Sequence, residues 1–325
     1  MLRYLARRLV FSVLLVAVVS SAAMLLTLAA PGDITSEQVG TGATARSIDD
    51  ERARLGLDRS PLAQYGAWLS RAARLDFGTS LMYGRPVTGL VAERAGNTLL
   101  LAVAALALAL VAGVPLGVVS GSRRGIVPGA IRAASLAAVS MPTLVSSLVL
   151  VLVAARTGWL PTGGMTSAGA AEARGWLEAA ADIARHMVLP TLALALPLGA
   201  TIERIQSQAT AETMEERFVA AALARGVPPG RVLWRHVLKP SLRSVAAVFG
   251  LVFGHLLSGS FVVEIVTSWP GLGRLMFDAL RSRDMYLVAG CAAAGGVFLA
   301  LGALASDAAL LAVDPRLRGR EEVRS

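Results

Sequence analysis

His255 and Ser258 stand three residues apart beside Gly259, which puts an imidazole and a hydroxyl on one face of a helix. An intramembrane serine protease would need such a pair. Nucleophilic catalysis also needs a third group to orient the base and an oxyanion hole, and such proteases usually carry nucleophile and base on different helices. Polar residues facing an aqueous lumen account for the pair better. The other chemistry-bearing residues are few. His186, His236 and His255 are scattered, and Cys291 is the only cysteine, so no metal-ligand spacing and no internal disulfide arise. The sole lysine, Lys239, follows Leu238, so the phosphate-cradling G-x-x-x-x-G-K-[ST] loop is absent. No metal or cofactor is expected, and any ATP-driven step must use a separate ATPase; an ion gradient is the other source of energy.

Two acids fall within apolar runs, where a charge is costly and often functional. Glu264 lies about one turn from the outer end of its run and reads as a structural gate contact ahead of a direct substrate ligand. Asp307 sits roughly 9 Å inside the inner end of the last run, at 1.5 Å per residue. Pairing with an arginine fits it better than proton relay, because a single acid is not a relay chain.

The elements that must position these residues are membrane spans. The chain has 325 residues, of which 55% are hydrophobic and 16% charged, with a mean hydropathy of +0.62. A soluble domain carries roughly 25% charged residues. Six spans are expected: Leu9–Ala30, Asn97–Val119, Ala133–Ala155, Met187–Ile202, Ser244–Thr267 and Tyr286–Val313. The first is too long for a cleaved signal and reads as a retained anchor. The fourth is short and holds Pro190 and Pro197, so a kink is expected there. With the N-terminus inside, the four inner segments hold 17 basic residues in 74 positions and the outer ones 14 in 115. Both termini are therefore expected in the cytoplasm. The net charge of +9 reads as a topology signal, not as nucleic-acid binding. Gly113-x-x-x-Gly117, Gly117-x-x-x-Gly121 and Gly250-x-x-x-Gly254 permit close helix approach, within the chain ahead of a subunit interface.

The largest inner segment is 203–243. Its stretch Thr213–Arg225 favours a helix, with Glu215 and Glu216 at an acidic start and Arg225 at a basic end. Gly226 stands where a glycine stops a helix, and Pro228-Pro229 forbid continuation. Small residues (Ala220, Ala221, Ala222, Ala224) allow another surface to approach, and Phe218 and Leu223 offer apolar anchors. A docking element and a plain amphipathic connector are both compatible with this pattern.

Phe218–Gly226 followed by Arg231–Leu242 resembles the cytoplasmic loop of binding-protein-dependent ABC importer permeases. The consensus Glu-Ala-Ala, three residues, Gly, nine residues, Ile-x-Leu-Pro is met by Ala220-Ala221-Ala222, Gly226 and His236-x-Leu238; the first Glu is absent and Pro240 is shifted by one. These departures resemble the oligopeptide, dipeptide and nickel branch. So do Met1–Val10 with Ala30-Pro31-Gly32-Asp33, Leu75–Val87, Ser140-Met141-Pro142, His186–Pro190, Ser268–Gly273, Asp278–Leu280 and Asp314–Arg318.

The resemblance implies an all-α, polytopic protein of six transmembrane helices with the type I ABC importer permease fold, in the bacterial cytoplasmic membrane. It divides into an anchor (1–32), an extracytoplasmic flap (33–96), a permease core (97–313) and a cytoplasmic tail (314–325), with anchor and flap wrapping a five-helix core. It implies two ATP-binding subunits, a second homologous permease subunit, an extracytoplasmic substrate-binding protein and membrane lipid as partners, and no nucleic acid. Coupling to the ATPase falls to Glu215, Glu216, Phe218, Ala221, Ala222, Arg225 and Gly226. A gate or pathway falls to Glu264, Ser258, Trp269 and Gly271. Peptides, glutathione and nickel remain open as substrates; nickel would be recognised largely by the binding protein. From another class, an ion-coupled secondary transporter would favour inverted repeats, and none is evident.

Overall fold

Hydropathy finds the apolar middle of a helix, but helix propensity and packing decide its ends. The computed structural model describes residues 2–32, 34–35, 50, 52–54, 56–167 and 175–313. The expected tail 314–325 and Asp33 lie outside them. In chain order the helices are α1 (Leu2–Ala29), α2 (Pro61–Ala72), α3 (Val87–Ser122), α4 (Ile126–Ser140), α5 (Thr143–Thr157), α6 (Trp176–Met214), α7 (Arg217–Ala224), α8 (Leu238–Val266), α9 (Leu272–Arg281) and α10 (Met285–Val313). A short turn Pro229–Arg231 and a π-helical turn Val232–Val237 lead into α8. Among the described residues four helices are long and apolar enough to cross a membrane, and two bent pairs raise the number to six.

One expectation changes. The fourth span is not a short segment ending at Ile202 but the middle of α6, 39 residues long, or roughly 58 Å. Pro190 and Pro197 stand inside it. Its flanks, rich in Ala, Glu, Arg and Gln, are good helix formers, so the helix outruns its apolar part. The third span is broken at its middle: α4 and α5 meet at 102°. Proline holds its predecessor out of the α region, and Met141 (φ −84°, ψ 120°) and Pro142 (φ −57°, ψ 138°) are both extended.

The chain divides into two units. One comprises residues 1–98 and 270–300. Within it Ser60 caps α2, its hydroxyl accepting from Ala63 N–H at 3.4 Å, with Pro61 as the first helical residue. Trp68 of α2 is buried among Met24, Met285 and Ala289, with the Tyr65 and Phe77 rings 6.0 and 6.4 Å away. The flap thus has a folded aromatic core. Asp284 ties its tip down. Oδ2 accepts from Ser80 Oγ (2.6 Å) and Met82 N–H (3.0 Å), while Oδ1 accepts from Leu287 N–H (3.1 Å) in the first turn of α10.

The other unit comprises 99–269 and 301–325. Its core gathers Leu101, Ala105 and Ala109 of α3, Ala193, Leu198 and Ile202 of α6, and Val252, Leu256 and Val263 of α8. The glycine stripe of α3 lies against α6. A β-carbon built at Gly113 would stand 2.6 Å from Gly199 O, and one at Gly117 would stand 2.6 Å from the Gln206 β-carbon; Gly121 meets the Ser207 carbonyl. The stripe is intrachain packing, as expected.

Candidate functional site

The elbow between α6 and α8 is built from a helix that ends and restarts. At the end of α6, Glu215 N–H donates to Glu212 O and Glu216 N–H to Thr213 O, both at 3.2 Å. Glu216 then turns extended (φ −69°, ψ 144°) and α7 begins at Arg217. The helix expected over 213–225 is therefore two pieces: Thr213 closes α6, and Glu215 and Glu216 form the hinge between α6 and α7, not an acidic first turn. At the far end Val227 N–H donates to Ala222 O (3.2 Å) and Gly226 N–H to Leu223 O (2.9 Å). This is the Schellman pair that a left-handed residue permits; Gly226 has φ +79°.

The faces of α7 divide cleanly. Val219 and Ala222 are buried with Val232 and Val237, and Val227 packs on them. Phe218, Ala221, Leu223, Arg225 and Gly226 are exposed. Ala222, expected on the docking face, belongs to the elbow's own core. The remaining coupling candidates share the outward side.

The gate candidates differ in burial. Glu264 is fully buried in the last turn of α8 and has a polar or electrostatic partner. Trp269 is also fully buried and belongs to the core of its unit. The connector before it is held by Gly164 N–H donating to Thr267 O at 2.9 Å. Gly271 is buried at the start of α9, where its carbonyl accepts from Leu275 N–H at 3.1 Å. Beside it Leu272 N–H donates to Thr98 Oγ1 at 2.7 Å. Ser258 is exposed on α8, as is His255. Among the described residues no hydrogen bond joins His255 to Ser258, and no group of three metal-ligating side chains occurs.

His255 instead lines a cavity of about 570 Å³. Its walls are the α4–α5 break (Met141, Pro142, Thr143), Pro197 and Thr201 of α6, and Gly259 of α8. A broken helix is tolerated at membrane depth where its freed backbone lines a cavity.

Sequence reasoning missed a second polar feature. Glu203 was counted with the inner loop, but it is 1% exposed. Its Oε1 accepts from Ser120 Oγ of α3. One turn on, Gln206 Nε2 donates to Thr210 Oγ1 (3.1 Å) and Ser241 Oγ (2.7 Å), joining α6 to α8. The signal available was the α3 glycine stripe. A face that must approach so closely names the α6 residues opposite it as buried.

Two family models match the chain. One, described as the inner membrane component of binding-protein-dependent transport systems, covers residues 113–319; the other, its N-terminal membrane-component counterpart, covers residues 1–102. Among curated proteins, the oligopeptide transport system permease protein OppB of Mycobacterium bovis is 33% identical over 98% of this chain and 99% of its own length. The oligopeptide transport system permease protein AppB of Bacillus subtilis is 29% identical over 98% and 99%. The glutathione transport system permease protein GsiC of Escherichia coli O1:K1 is 30% identical over 87% and 88%.

Proposed function

The chain belongs to the family of inner-membrane components of binding-protein-dependent transport systems, and from that premise we propose that it forms half of the translocation pathway of a peptide importer driven by two ATP-binding subunits. It is a permease subunit of an ABC importer and a multi-pass inner-membrane protein. A second homologous permease subunit supplies the other half of the pathway. The partner subunits hydrolyse ATP, since this chain lacks a phosphate-binding loop. An extracytoplasmic binding protein delivers the substrate, and both termini lie in the cytoplasm.

The observation that carries the mechanism is the continuity of α6. The same helix supplies Pro197 and Thr201 to the cavity and ends at the hinge Glu215-Glu216. The 13 steps from Thr201 to Met214 span about 20 Å of unbroken helix. A push on α7 therefore reaches the cavity wall without passing through a loop. In this reading Phe218, Ala221, Leu223 and Arg225 seat in a groove on an ATPase subunit. Gly226 keeps the turn tight, and Glu215 and Glu216 let α7 pivot. Ser258 and His255 face the water-filled pathway. Glu264 and Trp269 hold the outer end of α8 shut against it, with Gly271 fixing the turn into α9.

Peptide as the substrate class rests on the relatives' names, two of which are oligopeptide permeases; glutathione, the substrate named for the third, is itself a tripeptide. The test is uptake in a strain deleted for this gene, with labelled dipeptide, oligopeptide, glutathione and nickel compared side by side. Peptide uptake should be restored by the wild-type chain, and an ATPase and a second permease should copurify with it. Uptake of nickel alone would overturn the substrate class, and purification without any ATPase would overturn the mechanism.

A further inference from the structure

The cavity at the α4–α5 break carries no fixed charge on its wall. None of its lining residues is Asp, Glu, Lys or Arg, and most are aliphatic, Leu194, Val252 and Leu256 among them. Four have hydroxyl or imidazole side chains: Ser140, Thr143, Thr201 and His255. Two of these are already engaged. Ser140 Oγ donates to Leu136 O at 2.8 Å, and Thr201 Oγ1 donates to Pro197 O at 2.9 Å. The other two are free. Among the described residues neither the Thr143 hydroxyl nor the His255 ring has a hydrogen bond or an ion pair, and His255 is exposed.

Gly259 keeps space open beside both groups. It stands one turn after His255 on α8, on the same face. A β-carbon built there would lie 3.3 Å from Leu194 Cδ2 and 3.9 Å from Thr143 Oγ1. A longer side chain would fill the gap between α8 and the start of α5. The wall thus offers an apolar surface, one imidazole, one hydroxyl and no carboxylate. An apolar concavity with a few unengaged polar groups is the usual form of a small-ligand site, and its volume of about 570 Å³ suits one.

We propose that this cavity binds a peptide in transit by its C-terminal carboxylate, with His255 as the residue that selects it. This deepens the peptide-import reading above and rests on it. An imidazole donates an N–H in either protonation state, so His255 can always meet a carboxylate, and the Thr143 hydroxyl is a second donor on the same wall. A carboxylate taken out of water needs such donors. The N-terminal ammonium finds no acid on this wall, so it lies toward the side of the pathway that this chain does not supply. The aliphatic remainder of the wall receives apolar side chains and gives nothing to pair with a charged one. Short peptides with a free C-terminus and apolar side chains are therefore the cargo this half of the pathway favours.

The test measures protection of a thiol placed in the cavity. The assembled importer, nucleotide-free and without its binding protein, carries Thr201→Cys in nanodiscs. Alkylation by iodoacetamide is followed by mass spectrometry of this chain, in which the native Cys291 is buried. Trileucine should slow the reaction at a concentration about tenfold below that needed with trileucine amide, because the amide forfeits one charge-assisted hydrogen bond. Trilysine should need at least about tenfold more than trileucine, since its cations go unpaired on this wall. His255→Leu should raise the concentration of the free acid to that of the amide and leave the amide where it was. His255→Gln, whose side-chain N–H still donates, should fall between. Equal protection by acid and amide with His255 in place, or a preference that survives His255→Leu, would overturn the assignment of His255. Trilysine protecting as well as trileucine would overturn the apolar selection. Absence of protection by all three peptides, with or without protection by nickel chloride, would overturn the site. These readings are made without transport. Their failure with peptide uptake intact strikes this site alone, whereas a wild-type chain that restores no peptide uptake strikes the reading beneath it.

Discussion

Gly226 and Asp284 show how differently two single residues can matter. At Gly226 a side chain would meet open space, and only the positive φ opposes it. The strain of an Asp there is about 1 kcal/mol, too little to unfold the chain. Gly226→Asp should therefore insert in the membrane at wild-type levels and yet abolish uptake, because a carboxylate on the exposed turn disturbs docking. Membrane fractionation alongside peptide uptake checks both halves, and normal uptake would remove the elbow from the coupling mechanism. Asp284 is the reverse case: fully buried, it accepts from donors on the flap and on α10. Asp284→Ala strands those donors at about 1–3 kcal/mol each for any left buried. Limited proteolysis should then find a cleavage within residues 75–87 that the wild type resists, with Asp284→Asn in between.

Elements respond through their faces. On α7, Ala221 is exposed and Ala222 is buried one residue later. Ala222→Leu overpacks the elbow core at about 1–3 kcal/mol and should lower the thermal stability of the purified chain. Ala221→Leu should leave stability unchanged and instead reduce the ATPase recovered on copurification; equal effects of the two would mean that α7 has no docking face. On α3 the comparison is Gly117→Ala with Gly129→Ala of α4. A β-carbon at Gly117 overlaps Gln206 and the Glu203 carbonyl, whereas at Gly129 nothing lies within 4 Å. The first should destabilise by about 1–3 kcal/mol and the second be neutral or slightly stabilising, since Ala outranks Gly in a helix. Denaturation of the detergent-solubilised chain would separate them.

At the scale of the whole molecule the open quantity is orientation, and the composition makes it measurable. Cys291 is the only cysteine and is buried, so single introduced cysteines report cleanly. Phe218→Cys should react with a membrane-impermeant maleimide only in inverted vesicles. Tyr83→Cys, on the flap, should react only in intact cells or spheroplasts. Labelling on the opposite sides would reverse the topology, and with it the assignment of the elbow to the ATPase.

Hydropathy and charge accumulate along a chain, and for that reason the sequence alone determined the all-α class, the number of apolar segments, their centres and the glycine stop at Gly226. What the tertiary structure decided is everything that depends on the opposing surface. It extended α6 past its apolar middle, bent the third span by 102° at Pro142, and turned Ala222 inward and Ala221 outward. It also took Glu203 from a counted loop charge to a buried acid. A residue's type states what its burial would cost; only the helix packed against it settles whether it is buried, and Ser120 and the α3 glycines were the partners that settled it here.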